Sequence, residues 1–463
     1  MIGIAIIFLG GIFTLFTGLN RVEQWSKNAS SVLLLLASSF SWLEYKGILN
    51  FQNLFKWVPQ QMLDISSTTQ WMSALLLFLG FIIMVIMPAN SRKGADVPSL
   101  MLFSLSGGIL LMGAEQLVML FLGLEILSIP LFVLAGSDKE NLASNEAALK
   151  YFIMGAFSTA VLLLGAAFIY GGTGTLNLNE IQLKLSFAAH FGEFPILLKA
   201  GLILVSIGLL FKVSAVPFHF WSPDVYEGSP NRISVFMAVI VKISGFYALG
   251  NIFNSFSPMV TWSEQWIIPI VGLTIIGGNI MALGQTKVKR MLAYSSISHA
   301  GYLLLFILTP FEENINVLAT YSLSYGLGTI SLFYLMDYYS KQDNEFSMFK
   351  ALFAKNKLHG FMLVIATLSI AGVPSTIGFV AKYQLFSTAF VYNQWAVIIA
   401  LFGSAMSIAY YFKPFKYAFD NSQLKADQKS SKIELNFNSI CIVGLIAITM
   451  IIGIFPAIMQ SLL

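Results

Sequence analysis

Residues Leu117 to Ala135 read LVMLFLGLEILSIPLFVLA, an apolar run with a single charge, Glu125, near its middle. A second run, Ile233 to Phe253, reads ISVFMAVIVKISGFYALGNIF and holds Lys242 about as centrally. As a helix, roughly 20 apolar residues cover a hydrocarbon core about 30 Å thick. A charge at mid-depth in that core costs roughly 2.5–3.5 kcal/mol. Lys150, Lys212 and Lys382 fall in further apolar runs, making five such groups on one chain. Residues this expensive point to a path for an ion, most simply a proton.

Working outward from these runs, composition sets the same class. Hydrophobic residues make up 57% of the 463-residue chain and charged residues 10%. The mean hydropathy is +0.78, whereas a soluble domain carries about 25% charged residues. Fourteen apolar runs follow one another, at about 2–19, 31–49, 71–88, 98–113, 115–136, 147–170, 197–221, 233–254, 265–284, 292–310, 316–338, 358–389, 394–412 and 437–458. They lack the period-two alternation of barrel strands and are about twice too long, which excludes a membrane β-barrel. The expected fold is an all-α polytopic membrane protein of about 14 transmembrane helices.

The net charge of +4 matters less than where the charges fall, and gives no reason to expect nucleic acid. With an even number of spans both termini share a side, and they are placed outside. Inward loops then hold Arg21, Lys27, Arg92, Lys93, Lys139, Arg232, Lys287, Lys289, Arg290, Lys341, Lys350, Lys355, Lys357, Lys413, Lys416, Lys425, Lys429 and Lys432, 18 of 26 basic residues. Outward loops and span ends hold only Lys46, Lys56, Lys184 and Lys199. This is the asymmetry of the positive-inside rule. Met1 leads directly into the first run without a basic n-region or a cleavage site, so that run is expected to be retained. Cys441 is the only cysteine, which leaves no internal disulfide, four-cysteine cluster or zinc site. Gly172-Thr173-Gly174-Thr175-Leu176-Asn177 lacks the third glycine of a dinucleotide fingerprint and reads as a turn. No cofactor or metal is expected on this chain, so any redox chemistry belongs to another polypeptide.

The chain is weakly doubled. The seventh run reaches Lys212-Val213-Ser214-Ala215-Val216-Pro217, and the twelfth contains Gly372-Val373-Pro374-Ser375-Thr376 followed by Lys382. Four runs lie between the two, an even number, so the two cross in opposite directions. Interrupted helices in corresponding positions mark inverted repeats. Pro217 and Pro374 each remove a backbone donor and free carbonyls close to a lysine. Such carbonyls are tolerated only where they line protein or water. The expected divisions are 1–95 for the first three helices, 96–256 and 257–413 for two inverted five-helix repeats, and 414–463 for an inner loop and last helix.

Residues 211–246, FKVSAVPFHFWSPDVYEGSPNRISVFMAVIVKISGF, carry a more specific signature. They resemble the most recognisable stretch of the antiporter-like subunits of respiratory complex I. Gly123-Leu124-Glu125-Ile126, Lys289-Arg290-Met291-Leu292-Ala293-Tyr294-Ser295-Ser296-Ile297-Ser298-His299-Ala300-Gly301 and Gly378-Phe379-Val380-Ala381-Lys382 agree with the same family. The resemblance covers roughly residues 70 to 415. Lys382, and the absence of a long lateral helix, place the chain in the family branch that has both features. Gly228-Ser229-Pro230-Asn231-Arg232 departs from the family, which usually has a second proline and no arginine there.

The resemblance implies a proton-translocating membrane-arm subunit of an NADH:quinone oxidoreductase translocase in the bacterial inner membrane. Flavin, iron–sulfur clusters and quinone would be carried by partner subunits, and its neighbours would be other membrane-arm subunits, including further antiporter-like ones. By motif, Glu125 and Lys212 match the family's paired fifth-span glutamate and seventh-span lysine. Withdrawing Glu125 would deprive Lys212 of its counter-ion, and lysine can release its proton where arginine would stay charged. Lys242 reads as the next station, and Lys382 matches the exit-side lysine. Lys150 matches a sixth-span lysine, although Glu146 four residues earlier allows an ordinary helical ion pair. His299 is a candidate relay because histidine titrates near neutrality. His219, Tyr294 and Ser295 are weaker relay candidates. Two other functions fit the same residues: a subunit of an Mrp-type sodium/proton antiporter, and a non-transporting scaffold of the membrane arm.

Overall fold

Without water to bond, every backbone N–H and C=O at membrane depth needs a partner in the protein, and apolar runs meet this by forming helices. A computed structural model describes residues 2–19, 23–49, 62–88, 96–190, 194–339, 345–420 and 437–457. Among them regular structure is helical, with only isolated bridges such as Leu63 to Ala114 and Gln116 to Asn177.

The chain forms two compact units. The first comprises Met1–Val85, Ala89–Ile270 and Pro310–Glu312, the second Ile86–Pro88, Val271–Thr309 and Glu313–Leu463. In the first lie α1 (Ile2–Gly18), α2 (Glu23–Tyr45), α3 (Ser67–Ile86), α4 (Asp96–Met112), α5 (Leu117–Ala135), α6 (Leu142–Thr173), α7 (Leu178–Ala189), α8 (Ile196–Lys212), α9 (Trp221–Gly228), α10 (Asn231–Phe236) and α11 (Lys242–Ser255). The chain passes between units within α12 (Val260–Leu283). The second unit holds α13 (Val288–Leu304), α14 (Phe311–Tyr339), α15 (Leu352–Lys355), α16 (Lys357–Ala371), α17 (Ile377–Tyr392), α18 (Gln394–Phe419) and α19 (Phe437–Ile454). Close approach of α4 and α5 depends on small residues. A Cβ on Gly107 would sit 2.1 Å from Leu127 N, and one on Gly123 2.5 Å from Leu111 N. Lipid offers helices no hydrophobic drive to associate, so such contacts carry much of the packing.

Among the described residues seven helices are long and apolar enough to cross a membrane, and Ile2–Gly18, Asp96–Met112, Lys357–Ala371 and Ile440–Ile454 are shorter apolar helices. Both expected proline interruptions are full breaks. The run at 197–221 ends as a helix at Lys212, and the run at 358–389 divides into α16 and α17. Ser214, at φ 61°, turns the backbone in the first break. Gly372, at φ 85°, and Ser375, at φ 73°, turn it in the second. Gly172 and Thr173 still belong to α6, and the chain turns only at Gly174, which caps the helix in the left-handed region. α7 was not anticipated. Asn177 caps it by accepting from Asn179 N and Glu180 N, and Leu178, Ile181 and Leu185 form its buried side.

Three members of the inward basic set, Lys27, Arg232 and Lys289, are buried. Arg232 is not a solvated loop charge: it is buried and ion-paired with Glu23 at the start of α2. Burial without a partner would leave the guanidinium uncompensated, and Glu23 supplies the opposite charge. Arg21, Arg92, Lys93, Lys341, Lys425, Lys429, Lys432 and the outward Lys56 lie outside the described residues.

Candidate functional site

Lys212 is the last residue of α8 and is buried. Its ammonium lies over two rings, 5.0 Å from the centroids of both Phe132 and Tyr151. Tyr151 stacks on Trp221 at 4.6 Å, and the Trp221 indole N–H donates to Phe211 O over 3.0 Å. Thus a carbonyl freed by the break is taken up by the first residue of the next helix, closing an aromatic box behind the lysine. Glu125, on α5, is half-buried and interacts with Lys212 through space. No direct ion pair joins the two among the described residues. Cation–π contacts contribute about 2 kcal/mol when desolvated, against several kcal/mol for burying an ammonium, so a counter-charge still matters.

Lys242 opens α11 directly after a π-helical turn, Met237–Val241. Within the helix Asn231–Ser255, residues 232–250 are all buried. A π turn widens the backbone by one residue and frequently marks functional positions. Among the described residues, Tyr151, Ser206, Ser214, Ser222 and Ser244 bury hydroxyls without a hydrogen-bond partner, and His219 buries an unbonded Nδ1. Buried polar atoms of this kind call for a partner such as water. His219 packs its ring on Phe220 at 4.4 Å. Lys150 differs from the other three lysines. It is not enclosed in apolar packing: its side chain is 42% exposed and pairs with Glu146 at 2.7 Å and Asp224 at 2.9 Å. The bond to Asp224 ties α6 to α9, the helix that follows the break.

In the second unit His299 is bonded through both ring nitrogens, Nδ1 to Tyr321 Oη at 2.7 Å and Nε2 to Tyr411 Oη at 3.3 Å. Tyr411 also bonds Ser295, and Tyr325 donates to Ser296 Oγ at 2.9 Å. Tyr410 donates to Asn279 Oδ1 at 3.0 Å, and Asn279 Nδ2 donates to Tyr302 Oη at 3.1 Å. Lys382 stands over the Tyr302 ring at 5.2 Å. Its ammonium donates to Ala371 O at 2.8 Å and to Ser404 Oγ at 3.0 Å. Ala371 ends α16, so the carbonyl freed at the second break is held by the lysine itself. His299 and Ser295 therefore join one cluster that also reaches Lys382. Tyr294 stands apart, with Arg290 over its ring at 5.9 Å. Among the described residues no three His, Cys, Asp or Glu side chains gather as a metal site.

The transmembrane family of NADH:quinone oxidoreductase and Mrp antiporter subunits matches residues 114–407. The chain belongs to this family. Within the family it groups with subunit N of NADH–quinone oxidoreductase. That subunit from Cytophaga hutchinsonii is 38% identical over 79% of this chain and 79% of its own length. A chain of respiratory complex I from Thermus thermophilus with bound aureothin aligns at TM-score 0.83 and 29% identity, covering 99% of each chain. A chain of the Mrp complex from Dietzia sp. DQ12-45-1b aligns at TM-score 0.77 over 100% of this chain and 96% of that one. At 17% identity it shares the fold.

Reading the sequence alone missed Asn279, Tyr302, Tyr321, Tyr325, Tyr410 and Tyr411, which bond or pack against His299, Lys382 or one another. A signal was available for part of this. Ser295 and His299 on α13, like Tyr321 and Tyr325 on α14, are four residues apart and so share a helix face.

Proposed function

We propose that this subunit carries protons from the cytoplasm to the outside as part of an NADH:quinone oxidoreductase in the bacterial inner membrane. The observation that carries the reading is a coincidence of charge and broken backbone. Lys212 ends a helix at one break, Lys242 follows the π turn, and Lys382 bonds the free carbonyl of the other break. Intramembrane charges and non-helical backbone are each costly, and both are tolerated where they line a conducting path.

In this reading Glu125 holds the proton on Lys212 when near and favours its release when drawn away. Lys242 receives that proton, His299 and its hydroxyl neighbours carry it onward, and Lys382 delivers it outside. Flavin, iron–sulfur clusters and quinone reside in partner subunits, whose electron transfer from NADH to quinone drives the cycle. Lys150 serves this path by anchoring α9 through Asp224. The test uses the whole complex in proteoliposomes. Lys212→Ala or Glu125→Ala is expected to cut protons pumped per electron sharply while the subunit still assembles. Normal stoichiometry in both variants overturns the assignment.

A further inference from the structure

We propose that Asn279 is a proton barrier within the second unit, an amide set between two hydroxyls so that the His299 cluster and Lys382 do not exchange protons freely. The proposal rests on the pumping role given above and assigns one residue the task of keeping that path closed at rest.

Asn279 is fully buried on α12. Its Oδ1 accepts from Tyr410, while Nδ2 donates to Tyr302 Oη at 3.1 Å and to Ile275 O at 2.8 Å. The Ile275 carbonyl fixes the orientation, because a flipped amide would set two acceptor oxygens against each other. Gly403 makes room for the arrangement: a Cβ there would lie 3.0 Å from Asn279 Nδ2 and 3.1 Å from Tyr302 Oη. On the Tyr410 side the hydrogen bonds continue through Ser298, at 3.4 Å, and the Tyr410 hydroxyl also lies within bonding reach of Tyr411, which bonds His299. On the far side the Tyr302 ring lies under the Lys382 ammonium.

A hydroxyl, an imidazole or a carboxylic acid passes a proton by gaining one hydrogen as it gives up another, and ends as the same species. An amide cannot. Taking a proton on Oδ1 from Tyr410 while losing one from Nδ2 to Tyr302 leaves an imidic acid, at the cost of amide resonance. The hydrogen bonds therefore run from the His299 cluster through Asn279 to the Tyr302 hydroxyl, under the Lys382 ammonium, but the amide interrupts them for protons. Transfer towards Lys382 requires the amide to turn aside, which couples passage to a conformational step.

The experiment measures decay of an imposed pH gradient in proteoliposomes of the intact complex without NADH, then protons pumped per electron with it. Asn279→Asp keeps the shape and, as a neutral acid, both tyrosine bonds, yet it can relay. It is expected to speed gradient decay severalfold and to lower the pumping ratio while NADH oxidation continues. Asn279→Leu, which offers no relay, is expected to stay as tight as the parent. If Asn279→Asp does not assemble, Asn279→Thr supplies a relaying hydroxyl with the same expectation. A tight Asn279→Asp complex, or equal leakage in Asn279→Leu, overturns the barrier. Lys382→Ala in the same vesicles separates this from the wider reading: normal pumping there defeats the conducting role itself, whereas lost pumping beside a tight Asn279→Asp defeats only the barrier.

Discussion

At the scale of single residues, three buried lysines of the candidate path are held by three different kinds of neighbour. Lys212 rests on rings, Lys382 donates to a carbonyl and a hydroxyl, and Lys242 adjoins a π turn. If charge alone were needed, arginine would serve at any of them. If proton release is needed, it would not, because a guanidinium stays protonated in proteins. Lys382→Arg discriminates between the two. It retains donors for Ala371 O and Ser404, so assembly and NADH oxidation should survive, while protons pumped per electron fall to below about a tenth of normal. Pumping near the parent ratio in Lys382→Arg would show that the group is a fixed charge. The candidate lysines were legible from the sequence because a lone cation in an apolar run stands out. The tyrosine cluster was not, since a phenol in a span reads as ordinary packing until Tyr302, Tyr321 and Tyr410 are brought together from three helices.

At the scale of elements, the breaks explain why these lysines sit where they do. Pro217 and Pro374 announce the breaks because a proline lacks the N–H that would continue the ladder. The π turn at Met237–Val241 left no such mark, as a uniformly apolar segment shows no period from which an extra residue per turn could be read. α7 was hidden for the opposite reason: it is too short and polar to register as a span. The second break makes a sharp demand on α17. A Cβ on Gly378 would lie 1.6 Å from Ser369 O, backbone that cannot yield without shifting α16. Gly378→Ala should therefore prevent the subunit from accumulating in assembled complex. Gly444→Ala, where nothing lies within 4 Å of the added atom, should accumulate normally. Immunoblots of membranes and of purified complex measure both, and equal amounts would refute the close packing of α16 on α17.

At the scale of the whole chain, direction of transport depends on which surface each loop meets. Most loop cations were assigned inward on charge asymmetry, an argument about insertion that buried pairs such as Arg232 with Glu23 weaken only slightly. Sidedness can be read chemically because Cys441 is the sole cysteine. In a Cys441→Ser background, Ser186→Cys places a thiol on the exposed side of α7, and Ser347→Cys places one on the exposed side of the short helix Phe346–Phe349. A reagent that cannot cross the membrane should label residue 186 from outside in intact cells. Residue 347 should react only once the inner face is opened. These two positions lie on opposite sides of the lysine path in the assigned topology, so the pair reports orientation without relying on either terminus. Labelling of residue 347 from outside would invert the topology, and with it the roles: Lys382 would take protons up from the outer surface, and outward pumping through this subunit would need a different exit.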